Sequence, residues 1–142
     1  MSQYYDMGDR TLWNPSNGAS RLFLAQLGVY QAELGLPSGI GPMENDECRI
    51  DPVAFKEFVD ALIAWHRTTT HAVMNALSEG FVATVLVLAE RAGVEVDWPT
   101  ADSAEDGVRR DVQVPPAPAV PDEAWATALR DTAHELARFM AA

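Results

Sequence analysis

The stretch from Asp51 to Ala92 constrains this chain more than any other, because it is the longest run of unbroken helical character and holds most of the bulky apolar residues. Asp51 is a good N-cap, and Pro52 suits the first helical position, where a missing N–H costs nothing. Phe55, Phe58, Val59, Leu62 and Ile63 follow at helical spacing. The stripe continues through His66, Thr69, Val73, Ala76, Leu77, Phe81, Thr84, Val85 and Leu88. One straight helix of about 42 residues would be a rod about 60 Å long, whereas a compact chain of this length has a radius of gyration of about 14–15 Å. The stretch therefore breaks or is shared in an oligomer.

Two places offer a break. Ser78-Glu79-Gly80 contains a glycine, and Thr68-Thr69-Thr70 is a β-branched run that weakens helix propensity and offers a new N-cap. The apolar stripe runs through Gly80 without interruption, so the break is expected at the threonines, with a second helix from about Thr69 to Ala92. Within it, Phe81 to Ala89 is apolar on nearly all faces and belongs at the centre of a core. Ala76 and Gly80 would let another helix approach closely.

The flanking segments carry their own signals. Gln3 to Asp9, with Thr11-Leu12-Trp13, reads as a small hairpin. Ser16 or Asn17 should cap a first helix through Leu22, Phe23, Gln26, Val29 and Tyr30, stopped at Gly35 and Pro37. After Gly93, Val94 to Trp98 alternates with period two, as a strand pairing with the hairpin would. Residues 99–120 are acidic, then proline-rich, and read as a connector. Residues 121–142 form an amphipathic helix through Trp125, Leu129, Leu136 and Met140. The expected fold is all-α or nearly so, a bundle of about four helices with a minor N-terminal β-hairpin and a core spanning residues 1–98. The last helix packs on that core or on a neighbouring subunit, which leaves a homodimer open.

Charge narrows the function classes. Twenty-one acidic and ten basic residues give a net charge of -11, which repels nucleic-acid backbones and anionic bilayers. Neither nucleic acid nor membrane is an expected partner. Met1 to Arg10 has no basic run followed by an apolar segment, so no secretory signal is read and the expected location is the cytoplasm. The single cysteine, Cys48, excludes an internal disulfide and a cysteine-based zinc site within one chain.

The chemistry-bearing residues are sparse. His66 stands on the apolar stripe beside Trp65, His71 lies about 140° further round a continuous helix, and His134 falls on the polar face of the last helix. They share no metal-binding face. Glu-x-x-His, His-Glu-x-x-His, a P-loop, Gly-x-Gly-x-x-Gly and Gly-x-Ser-x-Gly are all missing, so no metal and no cofactor is expected. The most concentrated polar feature is Glu44, Asp46, Glu47 and Asp51 with Asn45, Cys48 and Arg49 interleaved, and its order does not match a calcium loop.

Three segments, Gly8 to Gly18, Asn45 to Asp51 and Ser78 to Phe81, resemble a family of small actinobacterial proteins of unknown function. The resemblance covers about Ser2 to Trp98, leaving the connector and last helix as an appendage. It implies bacterial origin, no activity and no functional residue.

Two functional readings follow. The first is a non-enzymatic interaction protein of the immunity or inhibitor type, whose Glu44, Asp46, Glu47 and Arg49, with exposed tryptophans or tyrosines at the rim, would engage a basic protein surface. The second is a small-molecule binder or cofactor-free enzyme with a bundle pocket lined by Trp13, Trp65 and Phe81 and His66 as base.

Overall fold

In the computed structural model, which describes residues 1–69, 71–100 and 120–142, the elements run β1 (Tyr4–Met7), β2 (Arg10–Trp13), α1 (Asn17–Leu34), β3 (Glu47–Arg49), α2 (Pro52–Thr68), α3 (Ala72–Ala92) and α4 (Asp122–Ala137). The fold is mostly helical, as expected. Local chemistry sets the helix ends. The Asp51 carboxylate accepts from the backbone N–H of Val53 and Ala54 at 3.0 and 3.5 Å, ahead of Pro52. The Ser16 hydroxyl caps α1, and Gly35 and Gly93 adopt left-handed conformations after α1 and α3.

The long helical stretch breaks at the threonines. Both the N–H and the hydroxyl of Thr69 bond the Trp65 carbonyl, at 3.1 and 2.6 Å, which closes the end of α2. The new N-cap is His71 rather than a threonine: its Nδ1 accepts from Met74 N–H at 3.3 Å. Chain reversal there lays α3 against α2, and Phe55, Phe58, Val59, Leu62 and Ile63 of α2 are all fully buried.

The β part is larger than a hairpin. β1 pairs antiparallel with β2 and parallel with β3, so the order is β2-β1-β3 with β1 central. The third strand is therefore Glu47–Arg49 and not Val94–Trp98. The alternation of Val94, Val96 and Trp98 is real, but those side chains pack on the helical core. Their backbone is fixed by α2: Asp97 N–H donates to Asp60 Oδ1 at 2.9 Å, and Lys56 Nζ donates to the Glu95 carbonyl at 2.8 Å.

α4 packs chiefly on α3. Arg67, at the end of α2, anchors its start: Nε and Nη2 bond Asp122 Oδ1 at 2.9 and 2.6 Å, Nη2 bonds the Val120 carbonyl at 2.7 Å, and the guanidinium lies over Trp125. The connector expected at 99–120 falls mostly outside the described residues. By length and composition α3 is apolar enough to cross a membrane, and half of its most apolar stretch is buried inside the protein. It is the core helix.

One glycine is fixed by close approach. Gly39 has φ +76, its carbonyl accepts from Asp51 N–H at 2.8 Å, and a Cβ added to it would lie 2.5 Å from Phe55 N and 2.8 Å from Asp51 O. These are backbone atoms and cannot swing away. Gly39→Ala is expected to cost about 2–4 kcal/mol in urea unfolding. Gly28→Ala, in mid-α1 with nothing within 4 Å of the new Cβ, should instead stabilise by up to about 1 kcal/mol.

Candidate functional site

The acidic stretch forms a tight hairpin. Asn45 and Asp46 both have positive φ, at 51° and 63°, which is the geometry of a two-residue turn whose twist matches its flanking strands. Glu44 and Glu47 close it with reciprocal backbone hydrogen bonds of 2.9 and 3.0 Å. The turn is tied to the sheet: Tyr4 N–H donates to the Asp46 carbonyl at 2.8 Å, and Gln3 Nε2 donates to Asp46 Oδ1 at 3.2 Å. Asp46 thus anchors the turn, while Glu44 and Glu47 project into solvent. Together with Arg49 they line a shallow cavity of about 350 Å³. Arg49 makes no ion pair among the described residues. Asp51 is spent on capping α2.

Between Glu47 and Arg49 sits a buried thiol. Cys48 alternates inward on β3, and burial, with Asp6 nearby, pushes its pKa up to about 12. A thiol held protonated in this way is a packing group rather than a nucleophile.

His66 is buried between α2 and α3, 6 % exposed. Its Nδ1 lies 3.0 Å from Ser78 Oγ, and the Ser78 hydroxyl donates to the Met74 carbonyl at 2.8 Å. The single hydroxyl proton is thereby used, so the imidazole Nδ1–H donates to Oγ. Desolvation lowers the His66 pKa to about 4, which keeps the ring neutral near pH 7. None of the described cavities is lined by His66. His134 lies on the surface of α4, 3.3 Å from Glu90.

The tryptophans are not at an exposed rim. Trp65 is buried edge-on against Tyr30, and Trp13 joins Tyr5 and Phe23 in an aromatic cluster with ring centroids 5.1–5.7 Å apart. Trp13 and Phe81 nevertheless meet at one place. Both line a groove of about 560 Å³ between α1, α3 and the tail after α4. The stacked rings of Phe23, Phe81 and Tyr30 hold α1 and α3 apart, with centroids 5.5 and 4.3 Å from Phe81. The structure therefore brings together two of the three aromatic residues expected around a pocket and leaves Trp65 and His66 out of its lining.

Arg91 fixes the end of this groove. From α3 it donates to the Leu12 carbonyl at 2.8 Å, to the Ala137 carbonyl at the end of α4 at 3.3 Å and to the Met140 carbonyl just beyond it at 2.8 Å, a cation placed where a helix C-terminus favours one. Asn14 N–H adds a bond to the Ala141 carbonyl at 2.7 Å. Sequence reasoning missed this residue. Its signal was an arginine at the end of an apolar helix, a position that suits any helix C-terminus.

The buried imidazole has a measurable consequence. Its folded pKa, about 4, lies below the unfolded value of about 6.5, so between those pH values the unfolded chain binds more protons. The stability contributed by neutral His66 is complete above about pH 6.5 and is lost as pH falls toward 4, by about 3 kcal/mol in all. Urea unfolding across this window should show that loss, and His66→Asn, which keeps a donor for Ser78, should flatten it.

A protein-family model described as a family of unknown function (DUF6086) matches residues 1–142, so the match includes the connector and last helix as well as the first 98 residues. No curated protein and no solved structure matches the chain.

Proposed function

For a chain that belongs to DUF6086, a family of unknown function, we propose the role of a non-enzymatic, cytoplasmic interaction protein that engages a basic protein surface through the Glu44–Glu47 hairpin. The observation that carries this reading is the rigidity of that hairpin. Glu44 and Glu47 stand at the base of a turn whose backbone is closed by two hydrogen bonds and tied to β1 by a third. Two carboxylates presented on a fixed frame lose little entropy when a lysine or arginine enters between them, and the net charge of -11 steers such a partner toward the protein. An immunity or inhibitor protein works in this way, occupying a basic site on its target.

A pocket enzyme using His66 has less support, since that imidazole is committed to Ser78 and stays neutral well below pH 7.

The test separates the hairpin from net charge. A fluorescent decalysine peptide serves as the basic probe, with binding followed by anisotropy at about 50 and about 300 mM NaCl, a range over which exposed charges become strongly screened. Glu44→Lys/Glu47→Lys should weaken binding about tenfold or more at low salt. Glu57→Lys/Glu123→Lys changes the net charge equally on other exposed positions and should cost only about twofold to threefold. Equal losses from the two pairs, or binding that ignores salt, would reject the hairpin as the recognition element.

A further inference from the structure

The groove between α1 and α3 is built unlike the rest of the surface. Leu22, Leu77 and Phe139 on its walls are 62, 76 and 83 % exposed. Val29 lies two turns beyond Leu22 on α1, and Val73 one turn before Leu77 on α3, each on the same helix face. Both are exposed. Five of the nine large exposed hydrophobic residues among the described ones thus lie on the groove walls or on the same helix faces as its wall residues. Scattered exposure of single apolar residues is normal, whereas a contiguous patch marks an interface.

Its lack of charge narrows the occupant. None of the seventeen residues lining the groove is charged, in a chain where 22 % of residues are. A basic partner would be received by carboxylates, as at the Glu44–Glu47 hairpin, and here there are none. A second copy of this chain faces the opposite problem: both bodies carry a charge of -11, so they repel except where a surface is neutral and apolar. The groove is such a surface. Its flanks carry both signs, with Arg21 adjoining Leu22 and Glu79 adjoining Gly80, all four exposed. Around a two-fold axis the same patch meets itself, so a flanking arginine of one copy can face a flanking glutamate of the other.

Shape agrees with charge. Leu77 and Phe139 project, while Ala76 and Gly80 on the same lining leave space, and a Cβ added at Gly80 meets nothing within 4 Å. A projecting residue and a hollow on one patch are what an isologous interface requires. We propose that this protein forms a two-fold homodimer through the α1–α3 groove, with Leu77 and Phe139 of each copy seated against the Ala76–Gly80 face of the other. This does not rest on the hairpin reading, and its salt dependence has the opposite sign. Screening weakens hairpin recognition of a basic probe, whereas it relieves repulsion between two like-charged copies.

The experiment is sedimentation equilibrium on the full chain at about 50 and about 500 mM NaCl, with native mass spectrometry of the same sample. The expected result is a monomer–dimer equilibrium that tightens several-fold with salt. Leu77→Glu should raise the dimer dissociation constant about tenfold or more by placing a charge in the interface. Gly80→Gln provides a second variant whose new side chain the monomer accommodates in open space, within a helix that glutamine favours over glycine. It should also yield monomer, with an unchanged circular-dichroism spectrum and a thermal midpoint no lower than that of a matched monomeric sample. A monomer under all conditions would overturn the proposal. So would a dimer that both variants leave intact, or a monomer retaining a small apolar molecule in the groove.

Discussion

A helix that is apolar all round must be covered on every side, and the second half of α3 imposes that condition on the whole protein. Phe81, Val82, Ala83, Val85, Leu86, Val87, Leu88 and Ala89 are consecutive but for Thr84, and all are buried. A helix interior to a protein reads this way because no face is left for water. The cover comes from several directions. α2 packs along one side, α4 along another, and β2 approaches the C-terminal half. Arg91 completes the arrangement at the end of the apolar run. Its guanidinium bonds carbonyls of Leu12, Ala137 and Met140, joining the sheet and the tail of the last helix to the helix they cover. A planar cation with five donors suits three diverging acceptors better than an ammonium would.

The first half of α3 is treated differently. Ala72, Val73, Ala76, Leu77, Glu79 and Gly80 are exposed, and within Ala72–Gly80 only Ser78 is buried, where it receives the His66 N–H. Coverage ends where α1 is held off by Phe23, Tyr30 and Phe81. Aromatic rings placed between two helices fill the space at the floor but leave the shoulders apart, so a groove opens above them. The groove is thus a consequence of how the core is filled.

Helix ends were legible in the sequence because their causes are local. Asp51-Pro52, Ser16, Gly35 and Gly93 act within a turn of their own positions, and the threonine break works through bonds to Trp65 four residues back. The sheet was only half legible. β1 and β2 are joined by a short turn, but β3 has three residues and finds its partner more than forty positions away in a parallel register. Its one inward residue, Cys48, gives no alternation to read. Val94–Trp98 alternates clearly yet rests on helices, since period two reports a half-buried extended chain without saying what buries it. At the candidate site, the acidic cluster was visible as composition, but its form was set by positive φ at Asn45 and Asp46. His66 was rightly placed on the apolar stripe. Whether such a residue meets a cavity or a serine depends on the register of α2 against α3, which lies beyond any single helix.

The two proposed surfaces adjoin opposite edges of the sheet. β2 leads through Trp13 and Asn14 into the groove, β3 carries the acidic turn, and β1 lies between them. With strands about 4.8 Å apart, the backbone of one edge is about 10 Å from that of the other. The proposed pairing would use the groove and not the Glu44–Glu47 hairpin, none of whose residues lines it. Such pairing would also double the negative charge of the body that the proposed basic partner approaches while removing only neutral surface from solvent. Long-range attraction grows with total charge, and contact geometry at each hairpin is unchanged, so the dimer would speed encounter more than it would slow release. The proposed charge-free interface and the proposed charge-bearing recognition turn would in this sense be complementary uses of one acidic chain.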